Sequence, residues 1–173
     1  QHKRASLVHG DDKPYDLRAS FLLVALALCP LPVLAAENLA PNGGFEDGIS
    51  GWRTWARQPT AISATLDPSQ PHTGKAAIRI EHRGEQDWSL EPALTMTVDA
   101  GDLIELQCWV KIEGAGRATL CASIWDAAGK AISWTAGERT AGAGPAWQPL
   151  RTRVVVPRGI VRLQPRLIGY GPA

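Results

Sequence analysis

The chain carries seven Trp against two Phe and two Tyr, and several of these rings fall among polar side chains in extended runs. A Trp on the polar face of a strand offers a flat apolar surface that matches the axial C–H groups of a sugar ring. Planar donors and acceptors nearby can then bond the hydroxyls. Trp109 alternates with Glu105, Gln107 and Lys111. Trp55 and Trp125 fall on candidate strands, and Trp88 and Trp134 lie near loops, where binding residues concentrate. Arg79, Gln107, Gln164 and Arg166 alternate outward, as do Glu81, Arg151, Arg153 and Arg162. Trp55, Trp88, Trp109, Trp125, Trp134, Arg79, Gln107, Gln164 and Arg166 are therefore the candidate ligand-binding set. The plainer alternative is a solvated strand face, with Trp109 lying under a loop. Trp52 and Trp147 read as packing residues.

Catalytic chemistry has little support. Glu46 and Asp47 are adjacent beside a turn, whereas glycoside hydrolysis needs two carboxylates across a cleft. His72 and His82 stand singly on a loop and a strand end. No Ser/His/Asp order, metal-ligand spacing or phosphate-binding glycine loop stands out. A net charge of +1 gives no electrostatic reason to expect nucleic acid or an anionic membrane as partner.

The elements that must position these residues begin after a leader. Ala19 to Cys29 is an apolar run preceded by Lys13 and Arg18 and followed by Pro30, Pro32 and Val33-Leu34-Ala35-Ala36. That is the layout of a secretory signal, with cleavage after Ala35 or Ala36. It is short for a membrane span. A buried helix, or a lipid anchor at Cys29, are the alternatives. The chain thus divides into an N-terminal extension (1–18), a signal peptide (19–36) and one β domain (37–173), and the product is expected to be secreted, periplasmic or at the cell surface.

Removal of the leader leaves Cys108 and Cys121, and two cysteines in an exported protein invite a disulfide. A two-residue hairpin turn at Gly114-Ala115 would face them across the strands. Hydrophobic register argues the other way. Ile104, Leu106, Cys108, Val110 and Ile112 form one apolar face and Ala118, Leu120, Ala122 and Ile124 the next. Pairing the cysteines would put these faces on opposite sides of the sheet. Free thiols, or a chain that crosses between two sheets here, satisfy the register.

No long helical periodicity appears. Period-two runs recur between turn signals, with 17 Gly and 13 Pro as punctuation. Candidate strands are 52–57, 62–66, 76–82, 88–90, 94–98, 103–112, 117–125, 131–135, 147–156 and 161–168, with 138–145 as a Gly-rich loop. Nine or ten short strands in so few residues predict an all-β, two-sheet jelly-roll sandwich.

Four segments carry a resemblance. Asn38-Leu39-Ala40-Pro41-Asn42-Gly43-Gly44-Phe45-Glu46, reaching Gly51-Trp52, reads as an opening strand and resembles the "N-L-x-x-N-G-x-F-E … G-W" opening of the family 4/9 carbohydrate-binding modules. His72-Thr73-Gly74-Lys75-Ala76-Ala77-Ile78-Arg79-Ile80 resembles their "H-S-G-x-x-S-L-x-I". Ala100 to Lys111 resembles "P-G-K-x-Y-x-L-S-F-W-V-K", and Ala146-Trp147-Gln148-Pro149-Leu150 resembles "E-W-Q-x-Y". The resemblance implies a galactose-binding-like jelly roll and a non-catalytic module, not itself an enzyme. Such a module targets an attached enzyme or the cell surface to a polysaccharide or oligosaccharide. It implies a monomer, a catalytic domain as neighbour, and a structural Ca²⁺ held by Glu46 with backbone carbonyls and an Asp of the final strand; that Asp is absent from this sequence, and a turn-capping or solvated Glu46 is the alternative. Family members usually end in a strand such as "G-x-x-x-F-D-D-V"; here Gly169-Tyr170-Gly171-Pro172-Ala173 stands just before it, so either the chain is a fragment or the last strand is missing. A structural or protein-interaction sandwich without a sugar site is the alternative.

Overall fold

The computed structural model describes residues 38–173. The N-terminal extension, the leader with its cleavage site, and Cys29 lie outside the described residues.

Eight strands are present: β1 (Trp52–Ala56), β2 (Ile62–Asp67), β3 (Ala77–His82), β4 (Asp87–Pro92), β5 (Met96–Thr97), β6 (Leu103–Asp126), β7 (Ala131–Val155) and β8 (Ile160–Tyr170). The larger sheet runs β1-β4-β8-β6-β7, with β5 also on β8; β2 and β3 form a second, two-stranded sheet. All pairings are antiparallel. The expected all-β jelly-roll sandwich is what the chain forms.

Its organisation departs from the expected string of short strands. Residues 114–115 are not a hairpin turn, and 138–145 is not a loop. Instead β6 and β7 are one long hairpin, in which Leu103–Val110 pairs with Gln148–Val155 and Arg117–Leu120 pairs with Arg139–Gly142. Pairing skips between Ile112 and Arg117. Gly114 there has φ +80°, a conformation that side chains with a Cβ rarely adopt, so the strand bends without ending. The Gly- and Ala-rich stretch 138–145 stays in the ladder because backbone pairing needs no particular side chain.

The bend explains the two apolar faces. Leu106, Val110 and Ile112 before it, and Ala118, Leu120, Ala122 and Ile124 after it, share one buried cluster with Val98, Leu150, Val154, Val156, Ile160 and Leu163. The two halves cover each other's apolar face, as crossing between layers requires. Cys108 lies opposite Leu150 and Cys121 opposite Arg166, so the thiols do not meet and both are free. Burial pushes each thiol up to about 11.

The opening stretch also differs. Residues 38–51 form turns rather than a strand. Asn42, in the left-handed region at φ 44°, donates its amide to Gly48 O and Ser50 O. Trp52 Nε1 donates to Pro41 O at 2.6 Å, and the Trp52 ring lies 5.2 Å from that of Phe45. The segment is an anchored clasp before β1.

Candidate functional site

Alternation decides which side chains share a face. On β8, Leu163 turns into the core, so Arg162, Gln164 and Arg166 turn to the other side. Register places Trp125, Ser123 and Cys121 of β6 opposite them in that order. On β4, Ser89 lies opposite Ile168, which brings Glu91 beside Arg166. On β1, Trp55 pairs with Ser89 and Arg53 with Glu91. Four strands therefore present one continuous face whose floor is polar.

That floor is buried and locked. Glu91 is 5% exposed and Gln164 4%, while Ser89 and Ser123 are fully buried. Glu91 Oε1 accepts from Arg53 Nε at 3.0 Å, and Oε2 accepts from Ser89 Oγ at 3.1 Å. Arg166 Nε lies 2.8 Å from Glu91 Oε2, yet its N–H is not directed at that oxygen, so the contact is charge attraction without a hydrogen bond. Arg166 reaches Ser123 Oγ through an outer nitrogen at 3.2 Å. Gln164 donates to Pro92 O at 2.7 Å, and Ser123 Oγ donates to Trp134 O at 3.2 Å. Burying a carboxylate between two guanidinium groups is costly unless all are paired, and its use as a floor points to a surface that needs rigid polar groups.

Aromatic rings flank this floor. Trp55 stands on β1 and is 43% exposed; Trp134 stands on β7 and is 59% exposed. Trp125 is half-buried and meets Trp134 edge to face at 5.8 Å. Four strand steps of about 4.8 Å separate β1 from β7, or about 19 Å in all. The arrangement is a long platform with ring surfaces at both ends and hydrogen-bonding groups between.

The remaining predicted residues lie elsewhere. Trp88 is a correction: its side chain faces the interior, 4% exposed, with its ring 6.3 Å from that of His82. Packing against β8 at Gly169 takes up its position, so it presents no ring to a ligand. Trp109 is 41% exposed, but its ring stacks on His72 at 4.0 Å, and His72 also meets the edge of Trp147 at 5.7 Å. One face of Trp109 is thus occupied by its own chain. Gln107 is on that same side, beside the Glu105–Arg151 and Glu105–Arg153 pairs at 2.8 and 2.9 Å. Arg79 is exposed on β3, between Asp67, Glu81 and Glu113. Of the nine candidates, Trp55, Trp125, Trp134, Gln164 and Arg166 come together.

Arg53, Ser89, Glu91 and Ser123 were missed as site residues. Their signal was present: Ser89-Leu90-Glu91 and Cys121-Ala122-Ser123-Ile124-Trp125 alternate polar or aromatic with apolar. Only strand order shows that these alternations face the same way.

Glu46 is exposed, and its Oε1 accepts from the Lys75 N–H at 3.1 Å. Among the described residues no group of three or more His, Cys, Asp or Glu is placed to hold a metal. A Ca²⁺ ion here would have Glu46 as its side-chain ligand and would need main-chain carbonyls and water for its other oxygens.

No protein-family model and no curated protein matches this sequence. Solved structures do match in fold. The chain is similar to the enzymatically active domain of tailspike protein 4 of bacteriophage CBA120, with TM-score 0.59, 15% identity, and coverage of 76% of this chain and 19% of that one. It spans about a fifth of that protein's length. It is similar to a family 61 carbohydrate-binding module solved with β-1,4-galactotriose, with TM-score 0.51, 20% identity, and coverage of 79% and 90%. It is also similar to the family 22 xylan-binding domain from Paenibacillus barcinonensis, with TM-score 0.51, 18% identity, and coverage of 75% and 89%. These likenesses establish the fold, a jelly roll shared with carbohydrate-binding modules.

Proposed function

We propose that this chain is a non-catalytic carbohydrate-binding module that holds an attached enzyme, or the cell surface, close to a polysaccharide. The observation that carries the reading is the single sheet face on which Trp55, Trp125 and Trp134 flank the buried floor of Ser89, Glu91, Ser123, Gln164 and Arg166. Two of the similar folds support it: one was solved with a galactotriose, and one is a xylan-binding domain. Membership in the family 4/9 modules, and export through the leader, rest on the sequence motifs and belong to the same proposal. Binding would raise local substrate concentration rather than lower a barrier.

The carboxylates of the face support a non-catalytic role. Glu91 is held by two arginines, and Arg57 holds the Asp87 carboxyl below its usual range by a forked contact at 2.7 and 3.2 Å. A glycosidase acid needs a carboxyl raised in pKa, and Asp87 is shifted the other way. The alternative, a protein-interaction sandwich, draws on Leu103 and Val155, which face each other across β6 and β7 with 60% and 64% exposed.

The test is intrinsic Trp fluorescence of the domain titrated with a polysaccharide panel that includes xylan and β-1,4-galactan, with and without Ca²⁺. A saturable change for one glycan supports the module reading, and a flat response from folded protein favours the interaction reading. A structural Ca²⁺ on Glu46 is part of the proposal; a thermal midpoint that falls on chelation supports it. An unchanged midpoint assigns Glu46 to the hydrogen bond with Lys75 alone.

A further inference from the structure

The face is chemically lopsided. Every cation–π pair among the described residues lies on it: Arg57 over Trp55 at 5.8 Å, Arg162 over Trp125 at 6.0 Å and Arg166 over Trp134 at 5.9 Å. Each aromatic platform thus comes with its own guanidinium. Arg53 adds a fourth, with a side chain 57% exposed.

Two of its three carboxylates are already engaged. Glu91 serves Arg53, Arg166 and Ser89, and Asp87 serves Arg57. Ser123 Oγ accepts from Arg166, and the Gln164 amide nitrogen donates to Pro92 O. Glu138 lies close enough for its charge to be felt at Cys121, and it is exposed. Four guanidinium groups therefore face three carboxylates, and each guanidinium has five N–H donors. Arg162 has no carboxylate within ion-pair distance among the described residues, and it is exposed beside Trp125. A neutral glycan offers hydroxyls that both donate and accept. This face has few free acceptors to receive them and an excess of charged donors.

We infer that the preferred ligand is an anionic polysaccharide whose sugar rings carry carboxylates, a uronic-acid polymer. The inference rests on the module reading above and names its substrate class. A pyranose stacked on the open face of Trp125 would place a ring carboxylate beside the exposed Arg162. The planar guanidinium fork matches a carboxylate with two parallel hydrogen bonds. Sulfate esters share the negative charge but lack the planar fit, so carboxylate is the assignment.

The test is isothermal titration of the domain with polygalacturonate, alginate and glucuronoxylan, each alongside its carboxyl-reduced form, and with dextran sulfate, xylan and β-1,4-galactan. The expected result is that one uronate binds, and that carboxyl reduction weakens it about tenfold or more, as loss of a charge-assisted pair does. Raising NaCl from about 50 to about 500 mM should weaken it further, since exposed charges are screened. Arg162→Gln should weaken uronate binding about tenfold. Arg158→Gln, which removes an exposed charge from a turn off this face, should leave it unchanged. A neutral glycan bound as tightly as any uronate overturns the inference and leaves the module reading standing. So does equal binding of a uronate and its reduced form, or an inert Arg162→Gln. Dextran sulfate bound tighter than every uronate overturns the carboxylate assignment. No binding to any glycan by folded protein overturns the module reading itself.

Discussion

Trp134→Ala separates the proposed face from the Trp109 side of the molecule. Trp134 is 59% exposed, and its own-chain contacts are the edge of Trp125 and the guanidinium of Arg166. A Trp carries about 200 Å² of buriable surface, so about 120 Å² remains open, and a ligand stacked on one face would cover about 60 Å². At about 25 cal/mol per Å², that is about 1.5 kcal/mol of binding. The dissociation constant should therefore rise about tenfold. Folding stability should fall by only about 1 kcal/mol, the scale of one aromatic and one cation–π contact. The assay is isothermal titration with whichever glycan binds, with urea unfolding of each variant as the control. Trp109→Ala is the comparison, because that ring lies off the proposed face, stacked on His72. A change under twofold for Trp134→Ala, together with a tenfold loss for Trp109→Ala, would refute the assignment of the face.

Three further outcomes follow from the packing. Glu91→Leu leaves Arg166 buried without its counter-charge and should cost about 3–5 kcal/mol in urea unfolding, much of it recovered when Arg166→Met is added. Gly169→Ala builds a Cβ 2.3 Å from the buried Trp88 ring and should cost about 3 kcal/mol, or prevent folding, by circular dichroism. The fully buried Cys121 thiol, pushed from 9.0 to about 11 by burial, makes stability depend on alkaline pH. The folded state keeps the proton that the unfolded chain releases, so this contribution is complete below pH 9.0 and is lost as pH rises to about 11. Its size is at most about 2.7 kcal/mol, two pKa units at 1.36 each. Urea midpoints measured across that range should fall more steeply for the natural chain than for Cys121→Ala.

Much of this was legible in the residues. Period-two alternation identifies the strands because a strand turns successive side chains to opposite faces, whatever its neighbours are. The apolar sets Leu106-Cys108-Val110-Ile112 and Ala118-Leu120-Ala122-Ile124 are core faces for that reason, and both are buried. Local chemistry also identified Trp52 as a packing residue; Gln164 and Arg166, read as outward-facing, point away from the apolar core but are largely buried in the floor. It failed at Gly114-Ala115 and at 138–145, where small residues allow a turn or a loop as readily as a bent strand. Only the partner strand decides between them.

The same limit governs the site. Each strand's polar face can be read from its own few residues, and its composition sets what chemistry it can do. Which faces become neighbours depends on strand order, a long-range property. β8 lies between β4 and β6, and that placement brings Glu91, Arg166 and Ser123 into one floor. The bend at Gly114 sends Trp109 and Trp134 to different surfaces, although they lie on the paired strands β6 and β7. Trp88 and Trp134 are one residue type, yet the fold buries the first against Gly169 and leaves the second open. Residue types and spacing determined that this chain is a β-sandwich rich in Trp and Arg. Tertiary pairing alone selected which of those rings and charges meet, because register and strand order set contacts between residues far apart in the chain.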